Sequence, residues 1–146
     1  MIVTFDFDGT LWRWGFDPEE GVFSRSCGPD PEAIALVHEW RQKGALVHIV
    51  TSRGSSNRSE VDLFTDKFGE LFEGVHFTEG CLKAATLSIL GSNLHFDDDP
   101  EELKEWGQLE PRMRGILWKT GHLDENDNVC DPEDPRFHFD NWVSWE

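Results

Sequence analysis

Cysteine is scarce, basic side chains are few, and no long apolar run occurs anywhere in the sequence. The three cysteines, Cys27, Cys81 and Cys130, are odd in number and far apart. They make a poor disulfide framework and point to a reducing compartment, with the cytoplasm as the expected location. No stretch approaches the roughly 20 apolar residues of a membrane span, and no basic segment leading into an apolar one opens the chain, so no membrane association is expected. Lys and Arg number 13 against 29 Asp and Glu, a net charge of −16. Such a surface repels polyanions at long range and argues against a tight, nonspecific grip on a nucleic-acid backbone. It does not argue against contact with a strand end alone. Halophilic adaptation would give a similar charge balance.

Metal motifs of the common kinds are missing too. His122, Cys130 and His138 are not supported by any CxxC or HxxxH pair, which excludes an ordinary zinc site. Asp124, Asn126 and Asn128 open like a calcium loop, but Val129 stands where that loop needs Gly and Pro135 where it needs Glu.

What is present is the make-up of one folded domain. The chain has 146 residues, 38% of them hydrophobic, with 11 Phe and 7 Trp. That length holds one core, and the aromatics argue against disorder.

Residues 1–7 (MIVTFDF) read as a buried strand that ends in the turn pair Asp8-Gly9. Residues 12–29 mix Gly, Pro and charge without clear periodicity and read as a loop or short hairpin. Asp30-Pro31-Glu32 is a helix start: a capping Asp, Pro at the first helical position and an acid near the positive end of the dipole. Ala33, Val37 and Trp40 share one face of that helix, and Gly44 ends it. A second strand, residues 45–50, runs into Thr51-Ser52-Arg53-Gly54. Val61, Phe64 and Phe68 recur at helical spacing, and residues 75–77 make a short strand. Leu82, Ala85 and Ile89 mark another helix, closed by Gly91. A strand over 93–96 ends at Asp97-Asp98-Asp99, and Asp99-Pro100-Glu101 repeats the helix start. Residues 115–118 supply a fifth strand.

Strands alternating with helices imply βαβ units. The expected fold is α/β, a three-layer Rossmann-like arrangement with a mainly parallel five-stranded sheet and helices on both faces. Such sheets bind ligands beyond the carboxyl ends of their strands, where the strand order reverses. The polar clusters lie at those ends: Asp6 and Asp8, Thr51 to Arg53, and Asp97 to Asp99. Residues 1–119 are expected to form this domain. Residues 120–146 are expected to form an acidic, aromatic extension that packs on the domain or on a partner through Phe137, Phe139, Trp142 and Trp145.

The run Asp6-Phe7-Asp8-Gly9-Thr10-Leu11 resembles the first motif of the haloacid dehalogenase superfamily, and shorter matches to three further motifs follow in order as far as about residue 102. An acid at the second position, here Asp8, is the pattern of that superfamily's phosphatases and phosphomutases. The resemblance implies a Mg²⁺-dependent phosphomonoester hydrolase working through an aspartyl-phosphate intermediate. Chemistry explains the residue types. A phosphate monoester is anionic and resists attack, so a carboxylate nucleophile needs a cation to screen both partners.

On this resemblance Asp6 is nucleophile and metal ligand. Asp8 protonates the leaving oxygen, then activates water, and offers its main-chain carbonyl to the metal. Gly9 and Thr10 shape the loop beside the phosphate. Thr51 matches the second motif, with Ser52 as the adjacent alternative and Arg53 as a further phosphate contact. Lys83 matches the third motif as the cation that offsets nucleophile and phosphoryl charge. Asp97 and Asp98 match the fourth as metal ligands, while Asp99 reads as the cap before Pro100. Trp12, Arg13 and Trp14 fall where the family carries a flap over the site, able either to stack on a planar leaving group or to pack the core.

Residues 12–29 leave room for a flap only, and residues 70–80 leave none for a second cap, so no cap domain is expected. In the superfamily that openness accompanies bulky substrates, such as a protein or a polynucleotide end, or homo-oligomers whose subunits cap one another. Val50-Thr51-Ser52-Arg53 and Phe96-Asp97-Asp98 are similar to the phosphatase half of polynucleotide kinase–phosphatases, which makes a polynucleotide or nucleotide 3′-phosphatase the alternative. No kinase P-loop accompanies it. An alternative of another class is a catalytically silent binding protein that keeps the fold.

Overall fold

A computed structural model describes residues 1–130. The expectation that Phe137, Phe139, Trp142 and Trp145 pack back onto the domain lies outside the described residues. The chain forms a Rossmann-like α/β fold around an open, parallel five-stranded sheet. In chain order its elements are β1 (Ile2–Phe5), β2 (Trp12–Asp17), β3 (Val22–Pro29), α1 (Pro31–Gln42), β4 (Leu46–Thr51), α2 (Ser59–Phe68), β5 (Gly74–Phe77), α3 (Ala84–Leu90), β6 (Leu94–Asp97), α4 (Pro100–Leu109), β7 (Arg114–Leu117) and β8 (His122–Leu123).

The main sheet runs β5-β4-β1-β6-β7, every neighbouring pair parallel. The chain moves outward from β1 through β4 to β5, then returns to lay β6 against the other side of β1. Right-handed crossovers put α1 and α2 on one face and α3 and α4 on the other. Side-chain alternation follows. Val3, Phe5, Val47, Ile49, Leu94 and Phe96 join Ala33, Val37, Val61 and Phe64 in the larger core, while Val50 packs with Leu87 and Trp106 opposite. The strand order reverses between β1 and β6, so the crevice opens where Asp6 and Asp97 emerge.

Residues 12–29 form a hairpin, β2 paired antiparallel with β3, and β8 adds to its other edge in parallel. Trp12, Trp14 and Phe23 are buried in the larger core, so this flap is packed down on the domain. Among the described residues no cap domain stands over the strand ends.

The helix nearest the third motif differs from its expected pattern. It starts at Ala84, so Leu82 lies outside it, and Ile89 is 87% exposed. With only seven residues, α3 contacts the sheet through Leu87, which faces Val50 and Trp106. The spacing of Leu82, Ala85 and Ile89 therefore picks the solvent side of a short helix.

Asp30 ties the layers together. Its Oδ1 accepts from the backbone N–H groups of Glu32 and Ala33 at 2.9 and 3.4 Å, capping α1. Its Oδ2 accepts from Trp118 Nε1 at 2.9 Å and Thr120 Oγ1 at 2.6 Å. Asp99 caps α4 with a single bond to the Glu101 N–H at 2.9 Å. Truncating Asp30 removes the acceptor of four donors, most of them at least half-buried, whereas truncating Asp99 frees one donor that water can reach. Asp30→Ala is expected to cost about 3 kcal/mol or more and Asp99→Ala about 1 kcal/mol, both read from urea unfolding.

Candidate functional site

The loop after β1 is drawn tight by its own backbone. Thr10 and Trp12 N–H donate to the Phe7 carbonyl at 3.2 and 3.0 Å, and Gly9 N–H donates to the Trp12 carbonyl at 2.8 Å. Gly9 takes φ 77°, and a Cβ there would collide with the Asp98 carboxyl. A glycine is needed at this place for both reasons. The neighbouring strand is pinned alongside, Asp6 N–H donating to the Phe96 carbonyl at 2.8 Å. Asp6 and Asp97 thus leave adjacent strands at one level.

Lys83, at the start of α3, places its ammonium between them, with Nζ 2.8 Å from Asp6 Oδ1 and 2.7 Å from Asp97 Oδ2. Its backbone N–H donates to Glu102 Oε2 at 2.8 Å, which ties the start of α3 to α4. Asp6, Asp97 and Asp98 each offer an oxygen within 4.8 Å of the others, and all three are buried. This is a hard, all-oxygen donor set of the kind that holds Mg²⁺ or a similar divalent ion. Thr10 Oγ1 donates to Asp6 Oδ2 at 3.3 Å.

The titration of these groups follows from burial and from neighbours. Burial, reinforced by the Asp97 charge, lifts Asp6 to about 7. Asp98 is also pushed well up, by burial and then by the charges of Asp6 and Asp97. Burial opposes ionisation of Asp97 as well, but Lys83 and the His95 ring outweigh it and hold its carboxyl below the ordinary range. Burial likewise opposes the Lys83 charge, and Asp6, Asp97 and Glu102 together raise it well above the usual lysine value. A single ammonium cannot balance three carboxylates, so the cluster holds protons or a cation.

Asp8 faces elsewhere. Arg53 grips it in a fork, Nε to Oδ2 at 2.8 Å and Nη2 to Oδ1 at 2.7 Å, and Trp14 Nε1 donates to Oδ1 at 3.0 Å. Burial raises the Asp8 carboxyl above its ordinary value against the pull of Arg53. Arg53 itself is fully buried and also donates to Glu60 Oε1 at 3.1 Å and the Asn57 carbonyl at 3.2 Å. The guanidinium expected to meet phosphate is therefore directed to Asp8 and the start of α2.

A pocket of about 480 Å³, open to solvent, is lined by Asp6, Asp8, Gly9, Ser52, Lys83, Asp97 and Asp98, with Trp14, Phe23, Asp99, Glu102 and His122 completing it. Ser52 reaches this wall. Thr51 is fully buried behind it, its Oγ1 accepting from the Arg53 N–H at 3.3 Å. Asp99 lines the rim while capping α4.

Some residues at the site carry no motif. His95 Nε2 lies 2.8 Å from Asp97 Oδ2 and its Nδ1 2.8 Å from Thr4 Oγ1, a buried link from β1 to the carboxyl cluster. The ring was legible as a satisfied strand histidine, but its partner was not. Glu102 escapes notice, and Trp14, expected in a flap over the site, has an unforeseen partner in Asp8, since nothing local marks an indole or a glutamate as the partner of a distant residue.

No family model matches the chain, and no curated protein does. Among solved structures, a chain of the Pnkp1/Rnl/Hen1 RNA repair complex is similar, with a TM-score of 0.60 and 16% identity over 80% of this protein. The matched region is 41% of that chain, so this protein corresponds to less than half of it. At such identity the likeness establishes the fold.

The raised carboxyls make stability depend on pH. A folded-state pKa of about 7 for Asp6, against 3.8 unfolded, gives stabilisation that is complete below 3.8 and lost as pH rises through 7. The metal-free protein is expected to melt at a lower temperature at pH 8 than at pH 5.5. Millimolar Mg²⁺ should reverse that loss at pH 8 and do little at pH 5.5, because metal ligation needs the ionised carboxylates. Differential scanning fluorimetry with and without EDTA reads both effects.

Proposed function

We propose that the protein is a Mg²⁺-dependent phosphomonoester hydrolase of the haloacid dehalogenase type, with Asp6 as nucleophile. The observation that carries this reading is the convergence of Asp6, Asp97 and Asp98 around Lys83 at the strand-order reversal. The donor set suits Mg²⁺: oxygen ligands only, close together, with Asp6 and Asp98 driven toward protonation where no ion balances them. Asp6, Asp97 and Asp98 would hold the ion, with the Asp8 carbonyl beside them, and it would supply charge neutralisation for nucleophile and phosphoryl group.

The chain's own groups account for the remaining steps. Lys83 lowers the repulsion between Asp6 and an incoming phosphate, and Ser52 offers a hydroxyl at the pocket wall. An Asp6 oxygen attacks phosphorus in line, forming an acyl phosphate as the ester oxygen leaves. Asp8, its carboxyl raised by burial, gives that oxygen its proton. The resulting carboxylate is held by the Arg53 fork and Trp14, oriented to take a proton from the water that cleaves the acyl phosphate.

The narrower reading is removal of a 3′-phosphate from a polynucleotide or nucleotide. It is supported by the fold likeness to a chain of an RNA repair complex and by a pocket open to solvent without a cap among the described residues. The net charge of −16 favours contact with a strand end over a long footprint.

Phosphate release from p-nitrophenyl phosphate and from a panel of 3′-phosphorylated oligonucleotides, nucleotides and sugar phosphates tests both readings. Asp6→Asn is expected to lose roughly 10³-fold or more in kcat. Asp8→Asn should lose about 10²- to 10⁴-fold on alkyl esters and less on p-nitrophenyl phosphate, whose leaving group needs no proton. A parent protein that shows no metal-dependent release from any member of the panel would favour a silent binding protein with the same fold.

A further inference from the structure

The segment after β7 is wound onto the site at every step. Trp118 N–H donates to the Asp97 carbonyl at 2.7 Å, and the Trp118 and Thr120 side chains hold Asp30 Oδ2 at 2.9 and 2.6 Å. The Gly121 carbonyl accepts from Trp14 N–H at 3.0 Å, and β8 pairs Trp14 with His122 and Gly15 with Leu123. Gly121 lies so near the motif-one loop that a Cβ would collide with the Gly9 carbonyl. Nothing in the local sequence of residues 118–123 marks them as part of a site.

This strap delivers one side chain to the metal cluster. His122 Nε2 lies 2.6 Å from Asp98 Oδ2, and the ring stands edge-on to Phe23 with centroids 4.8 Å apart at 74°. The same nitrogen lies 2.5 Å from where a Cβ on Gly9 would sit, so imidazole, loop backbone and carboxyl are packed without slack. Asp98 follows β6 and belongs to no helix or strand, so its own backbone does little to fix its carboxyl. Asp97 is held by the Lys83 cation and His95, whereas Asp98 meets, besides His122, the Asp6 carboxyl, which repels it once both are ionised.

We infer that His122 is a positioning residue for the metal site: its Nε2–H holds one oxygen of Asp98 so that the other faces Asp6 and Asp97. The inference rests on the reading of Asp98 as a metal ligand. Outer hydrogen bonds to ligating carboxylates set how well a site is organised before an ion arrives, and their loss typically weakens metal binding about 10- to 100-fold. The inference also gives residues 118–123 a purpose beyond closing the fold, since the hairpin and strap must be in place for His122 to reach Asp98.

The probe is Mn²⁺, an oxygen-seeking ion whose free fraction is read directly by electron paramagnetic resonance. His122→Leu keeps bulk beside Phe23 and removes the donor, and His122→Gln puts an amide N–H near the position of Nε2. Expected are Mn²⁺ affinity about 10- to 100-fold weaker in His122→Leu, recovery to within a few-fold in His122→Gln, and similar melting temperatures for the two metal-free variants. Equal affinity in His122→Leu and the parent overturns the role of His122 and leaves the metal site standing. Equal weakening in both variants also overturns it, since packing alone would then account for the loss. A parent that binds no Mn²⁺, like an Asp97→Asn control, overturns the metal reading and this inference with it. Should His122→Leu not fold, His122→Asn, too short to reach Asp98, takes its place, and the same outcomes support or overturn the role of the ring.

Discussion

The contact between the Lys83 ammonium and the carboxylates of Asp6 and Asp97 is the constraint around which the rest is arranged. Three buried carboxyls in one place repel one another by far more than a domain's margin of stability, unless protons or cations intervene. Lys83 supplies one charge and defines the geometry that a divalent ion would complete. Because the ammonium must reach both strands at once, β1 and β6 have to be neighbours, in parallel and in register. The strand order meets that demand at the one place where it reverses.

Around this centre the fold separates two jobs that neighbouring aspartates could otherwise confuse. Asp6 joins the carboxyl cluster with Asp97 and Asp98, while Asp8 is turned to Arg53 and Trp14. Asp6 shares one ammonium with Asp97 beside a third carboxyl, whereas Asp8 meets a guanidinium fork and an indole, so their surroundings diverge although a single residue separates them. The hairpin contributes to both sides: Trp14 touches Asp8, and its backbone anchors the strap that brings His122 to Asp98. A flap packed in the core in this way is a wall of the site.

Much of this was legible in the residues. The helix starts at Asp30-Pro31 and Asp99-Pro100, the glycine ends and the buried strands depend on neighbours in the chain, and they fall within a residue or so of expectation, except that β1 stops at Phe5, two residues early, where the chain turns into the motif-one loop. Asp6, Lys83, Asp97 and Asp98 were legible because motif order implies which strand ends meet. The buried face of α3 was not, since in seven residues several spacings mimic an apolar face and only contact with Val50 and Trp106 chooses among them. The destination of Arg53 was equally hidden: a strand-end arginine looks the same in sequence whether it meets a ligand or Asp8.

By itself, then, the sequence determined the alternation of elements, the glycine turn after β1 and the set of acids that gather at the strand tips. These rest on backbone preference and hydrophobic periodicity, which act over a few residues. The tertiary structure alone decided which cation answers which anion: Arg53 for Asp8, Lys83 for Asp6 and Asp97, His122 beside Asp98. Electrostatic and hydrogen-bonding partners are chosen by distance through space and by exclusion of water, and neither quantity exists until the chain has folded.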